Sequence, residues 1–381
     1  MRVSHFMPFY DVPGKAAFSG AENHLFSLME GQVKAGLDVE LVMIVGLAGD
    51  RLRQKAEELR QKGIRVSEVL YPCQGLGGLK RLLRLSILPR LLAVVNSRRD
   101  RILHMHPLTP SGTIMVLVAG FLLCPYIVLS YHNNEPQLKL FPYKQIVQFM
   151  DKFVKRTIVI SASVLNHFVS GVGLRQETTK LVYYGIDLPE GEPSKEALRN
   201  NLGLPQDHFI VGFVGRLTFQ KDIPTFLNAL KQTPLIYGAI VGAGELEDEL
   251  KSLANDLKLG NVAFLGSRPN GATLMRAFDV LVLPSTFEGL GLVLLEAMVR
   301  RVPIIGSRGG AIPEILENGE LGFLFDTGDV SQLANAMHVM HENNGLREAY
   351  IDSGFKRVQE KYTMQAMISN TSDIYKEVLE A

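Results

Sequence analysis

The stretch Pro284-Ser285-Thr286-Phe287-Glu288-Gly289-Leu290-Gly291-Leu292-Val293-Leu294-Leu295-Glu296-Ala297-Met298 decides the fold. Before it, Val280–Leu283 is an apolar run bounded by Asp279 and Pro284, the right length for a buried strand. After Gly289 and Gly291 comes an apolar segment of good helix formers. Strand, glycine loop and helix together make a phosphate-binding arrangement, because the first N–H groups of a helix are unpaired and its dipole is positive there. Glu288 and Glu296 frame the loop. Carboxylates repel phosphate but accept hydrogen bonds from neutral hydroxyls, as acidic residues do with ribose. The combination suggests a sugar nucleotide. An ordinary strand–loop–helix unit with solvated glutamates has the same outline, so the rest of the chain decides. The stretch runs on through Arg300-Arg301-Val302-Pro303 and closes on Gly309-Gly310-Ala311-Ile312-Pro313-Glu314.

At 381 residues the chain exceeds one typical domain and fits two. A hydrophobic content of 46% with 21% charged residues is that of a soluble globular protein with large cores. Cys73 and Cys124 give no disulfide framework and have no Cys or His at metal-ligand spacing, which fits a reducing cytoplasm. The net charge of +1 hides an asymmetry: Met1–Asp187 carries 23 Lys+Arg against 14 Asp+Glu, hence +9, which leaves −8 for the remainder. A basic half can meet anionic lipid, nucleic acid or a phosphorylated substrate. Met1–Pro8 is too short for the apolar region of a signal peptide. Gly112–Ser130 is almost wholly apolar, but Cys124-Pro125 breaks it. A buried helix feeding a buried strand explains that segment as well as a membrane span does.

Met1–Tyr10 reads as a first strand, and Asp11–Gly20 as a loop with Pro13, Gly14 and Gly20. A helix follows, with Leu25, Leu28, Met29 and Val33 at helical spacing, then a strand at Val39–Val45. No Gly-x-Gly-x-x-Gly fingerprint is present, which argues against a dehydrogenase. Arg51–Lys62 is a charged helix and Arg65–Tyr71 a strand. Leu76–Asn96 mixes leucines with Lys80, Arg81, Arg84 and Arg90, and Arg98, Arg99 and Arg101 follow. This basic segment lies either on an anionic membrane surface or as a helix with a solvated face. The strands Ile102–His106 and Tyr126–Tyr131 deliver His106 and His132 to C-terminal strand ends, where ligands of open α/β sheets bind. Thr157–Ser161 and Lys180–Tyr184 close this half. Pro189, Glu190, Gly191, Glu192 and Pro193 then mark a hinge. A second series of strands, alternating with helices, begins at Phe209–Val214, so both halves are parallel sheets covered on both faces.

In the second half, Gly215-Arg216-Leu217 with Lys221 places a guanidinium and an ammonium just past a strand end, where both can converge on a diphosphate. Two exposed surface cations would look the same. Gly242-Ala243-Gly244 is a turn that lets backbone approach a ligand. Gly266-Ser267-Arg268 follows the next strand. With Glu288 and Glu296 followed by Ala297-Met298, these motifs resemble the retaining glycosyltransferases of family 4, which have the GT-B fold. The resemblance covers essentially the whole chain. In the first half, Ser19-Gly20-Ala21-Glu22 and Ser130-Tyr131-His132 agree with it more loosely.

The resemblance implies an α/β, GT-B architecture: two doubly wound, Rossmann-like parallel-sheet domains facing across a cleft. Residues 1–187 would form the acceptor-binding domain, joined by a C-terminal helix at 363–381, and residues 188–362 the donor-binding domain. Glu296 would hold the ribose hydroxyls. Glu288 would hold hydroxyls of the transferred sugar, with backbone at Gly289, Leu290, Gly291 and Leu292 along sugar and phosphate. Arg216 and Lys221 would neutralise the diphosphate, with Gly242 and Gly244 nearby. His132 would reach the donor sugar from the first domain, Gly20 would bring an N–H towards the diphosphate, and Arg268 would lie near the base. Glu22 and His106 would serve the acceptor. Positive charge fixed at the leaving phosphate can replace a divalent metal, and the chain has no Asp-x-Asp pair. No metal or other cofactor and no nucleic-acid partner is therefore expected.

Ser19, Leu290, Asp222, Arg300-Arg301 and Met364 depart from the family's usual residues. The implied function is transfer of a hexose from a UDP-sugar, UDP-glucose by preference, to a sugar or lipid-linked hydroxyl acceptor. The protein would be cytoplasmic, with peripheral contact at the inner face of the membrane. A GDP-mannose-dependent mannosyltransferase, a non-catalytic UDP-sugar-binding protein and a sugar-nucleotide epimerase of the same fold are the alternatives.

Overall fold

A computed structural model of the chain describes residues 1–9, 18, 20–45, 49–70, 88–98, 100–107, 125–268 and 271–380. Its apolar runs form two sheets. The first contains β1 (Arg2–Phe9), β2 (Asp38–Val45), β3 (Arg65–Leu70), β4 (Ile102–Met105), β5 (Ile127–Tyr131), β6 (Arg156–Val159) and β7 (Thr179–Leu181), in the order β3-β2-β1-β4-β5-β6-β7. The second contains β8 (Phe209–Val214), β9 (Ile236–Val241), β10 (Val262–Gly266), β11 (Val280–Leu283), β12 (Ile304–Ser307) and β13 (Phe323–Phe325), in the order β10-β9-β8-β11-β12-β13. All strand pairings are parallel. Continuous Val, Ile and Leu runs suit strands covered on both faces by helices. In β2, for example, every residue after Asp38 is buried.

In each sheet the strand order reverses once, between β1 and β4 and between β8 and β11. The loops leaving these strands diverge there and open a crevice, which is where ligands of doubly wound sheets bind. The loop after β11 is the one quoted at the outset, and Arg216 and Lys221 lie in the loop after β8.

The chain divides into two compact units, Met1–Gly185 with Met364–Ala381, and Ile186–Thr363. The terminal helix Met364–Glu380 belongs to the first, where Met367, Ile374 and Val378 share a core with Val3, Leu28, Ile102 and Val128. In the second unit, Ile186 N–H donates to Tyr362 O, so the chain's entry and exit points are tied together.

One expectation about the first unit changes. Arg98 and Arg101 do not contribute to a basic face. Arg98 Nε donates to Glu40 Oε2 at 2.7 Å, and Arg101 Nη1 donates to Asp38 Oδ2 at 2.9 Å, with only 6% of the Arg101 side chain exposed. The helix Leu88–Asn96 is present, while Lys80, Arg81, Arg84 and Arg99 lie outside the described residues, as do Cys73 and Cys124. Of the apolar stretch 112–130, residues 127–130 are part of β5 and 112–124 lie outside the described residues. No helix among the described residues is long and apolar enough to cross a membrane.

Candidate functional site

In the second unit, three loops at the C-terminal sheet edge lock together around Glu288. Its Oε1 accepts from Lys221 Nζ at 2.5 Å and from Ser285 Oγ at 2.6 Å. Both charges are nearly buried, with 15% of the Lys221 and 9% of the Glu288 side chain exposed. Lys221 therefore neutralises Glu288 in this state, a partnership that sequence spacing did not reveal. Oε2 of Glu288 makes no hydrogen bond among the described residues, which leaves it for a ligand hydroxyl. The β8 loop grips the same segment again. Gln220 Nε2 donates to Phe287 O at 2.7 Å, and Thr286 N–H donates to Gln220 O at 2.8 Å.

The loop after β12 supports it from the other side. Ser307 Oγ donates to Ser285 O at 2.5 Å, and Ala311 N–H donates to Glu288 O at 3.0 Å. Gly310 has φ +61°, and a Cβ there would stand 2.3 Å from Glu288 O. Only glycine fits both that backbone conformation and that gap. Gly309-Gly310, at the end of the opening stretch, thus form the floor under Glu288.

Gly291 adopts the left-handed region (φ +84°, ψ +58°) and begins the helix Leu292–Val299 without any side-chain cap. Leu294 N–H already donates to Gly291 O at 2.8 Å, so the N–H groups of Leu292 and Val293, which no capping side chain claims, are the ones a phosphate can take. Leu290 is buried (2% exposed) and packs as a core residue. Glu296, one turn into this helix, is half-buried, and burial raises its carboxyl above the ordinary range against the opposing effect of Arg300. Arg300 pairs with Glu192 at 2.7 Å, giving that departure from the family pattern a structural partner. Asp222 likewise sits in the left-handed region (φ +46°), which explains why glycine is usual there; aspartate is among the residues that tolerate it.

The turn Gly242-Ala243-Gly244 has a reason of its own. A Cβ on Gly242 would lie 1.8 Å from Gly215 O, and one on Gly244 would lie 2.2 Å from Leu217 O. The loops after β8 and β9 are pressed backbone to backbone, joined by Gly215 N–H to Val241 O and Leu217 N–H to Ala243 O. These glycines serve loop packing first. Arg216 is exposed and makes no ion pair with any described residue, so its guanidinium is available. Arg268 is exposed and donates to Leu265 O at 2.9 Å.

The first unit holds a different constellation. His5 on β1 pairs in register with His104 on β4, and His106 lies two residues further along the same face. His132 follows β5. Tyr184 OH meets His132 Nδ1 at 2.7 Å, His132 Nε2 meets His106 Nδ1 at 2.9 Å, and His106 Nε2 meets His5 Nδ1 at 2.9 Å. His5 Nε2 meets Gln32 Oε1 at 2.8 Å, Gln32 Nε2 donates to Tyr375 OH at 3.1 Å, and Tyr375 OH meets His104 Nδ1 at 2.6 Å. His104 Nε2 ends on Ser130 Oγ at 2.6 Å.

With the rings neutral, each nitrogen pairs one donor with one acceptor. The Gln32 amide orientation then assigns every imidazole the Nε2–H tautomer and every bond the same direction. Burial holds His5 and His132 down to about 4. Burial, reinforced by the neighbouring rings, also pushes His24, His104 and His106 well below the usual value. His5, His104 and His106 come close enough to hold a metal, but their ring nitrogens are already spent on these bonds.

This chain alters two expectations. His106 is 1% exposed with both nitrogens engaged, so it offers an acceptor nothing as it stands. His132 is also saturated, and a donor contact through its ring nitrogens requires exchange of one bond. Gly20 opens the helix Gly20–Lys34 with open space at its Cβ position, and Glu22 is buried in the first turn. Ser19 lies outside the described residues. Sequence reasoning passed over His5, His104, Gln32, Tyr375 and Glu135. The His-x-His spacing at 104–106 was the available signal for a shared face. Glu135 gave none: it is buried, its Oε2 has no partner among the described residues, and burial pushes its carboxyl up to about 7.

Residues 194–357 match the family described as glycosyl transferases group 1, and residues 18–190 match glycosyltransferase family 4. Among curated relatives, the sulfoquinovosyl transferase SQD2 of Arabidopsis thaliana is 28% identical over 306 residues, 74% of this chain and 58% of its own length. A D-inositol 3-phosphate glycosyltransferase of Mycobacterium avium is 33% identical over 214 residues, 54% of this chain and 50% of its own. These alignments thus span 58% and 50% of the relatives' own length. The crystal structure of Anabaena Alr3699/HepE in complex with UDP shares the fold at a TM-score of 0.80, with 23% identity, covering 98% of this chain and 99% of that one.

Proposed function

We propose, from the premise that this chain belongs to the group 1, family 4 glycosyltransferases of GT-B fold, that it is a retaining, metal-independent hexosyltransferase using UDP-glucose. The observation that carries this reading is Glu288, fixed by Lys221 and Ser285 with one carboxylate oxygen left over, beside a helix start that no side chain caps. Anabaena HepE has been seen with UDP-glucose, which supports that donor.

In the reaction the bond between the anomeric carbon and the diphosphate oxygen breaks, and a bond to the acceptor oxygen forms on the same face. The acceptor's proton passes to the departing phosphate oxygen. Negative charge grows on the phosphate, where the helix N-terminus, Arg216 and Lys221 stabilise it. Lys221 shifts part of its hydrogen bonding from Glu288 to phosphate, while Glu288 keeps Ser285 and turns Oε2 to a sugar hydroxyl. Glu296 accepts from the ribose. The acceptor is a sugar or lipid-linked hydroxyl.

The test uses UDP-glucose and GDP-mannose separately, scoring UDP or GDP release with and without EDTA. UDP release that persists in chelator supports the proposal. Turnover with GDP-mannose alone, or loss of activity in EDTA, overturns it. Glu288→Gln should cut transfer far more than UDP affinity, whereas Glu296→Gln should weaken UDP itself. Equal UDP affinity in both variants contradicts the two roles.

A further inference from the structure

Leu140, Phe141, Phe149 and Phe153 expose 62%, 81%, 58% and 38% of their surface. They fall within a short segment around the helix Tyr143–Asp151, soon after His132 at the C-terminal edge of the first sheet. Burying such side chains is favourable, and large apolar side chains left exposed close together in one segment point to an interaction site.

The patch is held out, not loosely draped. Val147 and Met150 bury the opposite face of the helix, and Gln148 Nε2 donates to Val172 O at 2.7 Å. Lys144 Nζ donates to Gly171 O at 3.2 Å. Phe149 and Phe153 meet edge to face with centroids 5.4 Å apart.

Within the segment itself the exposed charges have one sign. Residues 136–155 contain Lys139, Lys144, Lys152 and Lys155, and one carboxylate, Asp151. Asp151 is buried and taken by Arg175 at 3.1 Å, while Lys139 and Lys152 are exposed. Exposed aromatic rings flanked by lysines, with no exposed carboxylate among residues 136–155, match the interface of an anionic bilayer. A second copy would set lysines against lysines across a two-fold axis, which is repulsive.

We propose that Leu140, Phe141, Phe149 and Phe153, with Lys139 and Lys152, form the surface by which the first unit docks on an anionic membrane. The rings enter the headgroup region and the lysines meet lipid phosphate. This contact lies in a different segment from the basic stretch at 76–101. It stands independently of the donor assigned above, and it would bring a lipid-borne acceptor to the sheet edge that carries His132.

The test is flotation of the full chain with vesicles of phosphatidylcholine alone or with about one-third phosphatidylglycerol. Wild type should float with the anionic vesicles, far less with neutral ones, and less as salt rises. Phe141→Ser with Phe149→Ser should lower partitioning by about tenfold or more. Lys139→Glu with Lys152→Glu should remove the preference for anionic lipid. All four sites are exposed, so the melting temperature should match wild type and confirm folding. No flotation of wild type, or equal flotation of the serine variant, overturns the proposal. Patch-dependent dimers in sedimentation without vesicle binding would assign the surface to a second copy instead. No arm needs turnover, so failure here is separable from failure of the transferase reading.

Discussion

The buried histidine chain predicts that acid unfolds the first unit before the second. His5 and His132 titrate near 6.5 in an unfolded chain and near 4 in the fold. Between those values the unfolded state binds more protons, so the stability that these rings contribute is complete above pH 6.5 and is lost as pH falls towards 4. At pH 5 each ring forgoes about 2 kcal/mol of protonation free energy that the unfolded chain collects. His24, His104 and His106 act in the same direction. Glu135 opposes them. Its carboxyl is held up to about 7 instead of 4.5, so acidification from pH 7 to 5 returns about 2 kcal/mol. His5 and His132 together outweigh it by about 2 kcal/mol, before the other rings are counted, against a total of ~5–15 kcal/mol for a domain.

In the second unit, His208 and His338 are exposed and His341 is half-buried, so none of the three is a buried ring of this kind. The assay is hydrogen exchange read by mass spectrometry at pH 7, 6 and 5, corrected for intrinsic rates. Peptides from β1, β4 and β5 should lose protection while those from β8, β11 and β12 keep it. Equal protection of β1, β4 and β5 at pH 5 and pH 7, or parallel loss in both units, refutes the reasoning.

Glu135→Gln should stabilise the first unit at pH 7.5 by roughly 2–3 kcal/mol and have little effect at pH 5, measured by denaturant titration. Gly242→Ala should cost about 1–3 kcal/mol, because its Cβ would force the β8 and β9 loops apart. Its thermal melt should fall together with UDP affinity, and an unchanged melt would sink the loop-packing account. Lys221→Met leaves Glu288 buried with Ser285 alone, at a cost of up to ~3–5 kcal/mol at neutral pH. A second change, Glu288→Gln, should recover most of that loss; if the double variant is no more stable than the single, the ion pair is not what Lys221 contributes.

Most strands of both sheets could be read from the sequence within a residue or two. A parallel strand buried on both faces is a short apolar run between breakers, as in Val280–Leu283 and Phe209–Val214. The loops after β8 and β11 were legible for a related reason: at a switch point they need glycine and charge, residues that stand out between apolar runs. Which atom meets which was not legible. The spacing of Lys221 and Glu288 along the chain carries no sign of their ion pair, which arises because β8 and β11 are neighbours.

By itself, the sequence determined the two doubly wound units, the strand–glycine–helix phosphate loop and the candidacy of Glu288, Glu296, Arg216 and Lys221. Local rules suffice there, since strand length, helix period and turn chemistry are properties of contiguous residues. Tertiary structure alone decided that Gly242 and Gly310 seat neighbouring loops, and that Arg98 and Arg101 are spent on Glu40 and Asp38. It also decided that five histidines from four segments lie together. Those outcomes depend on which strands lie side by side and on how much water their side chains lose, and no contiguous stretch of sequence encodes either.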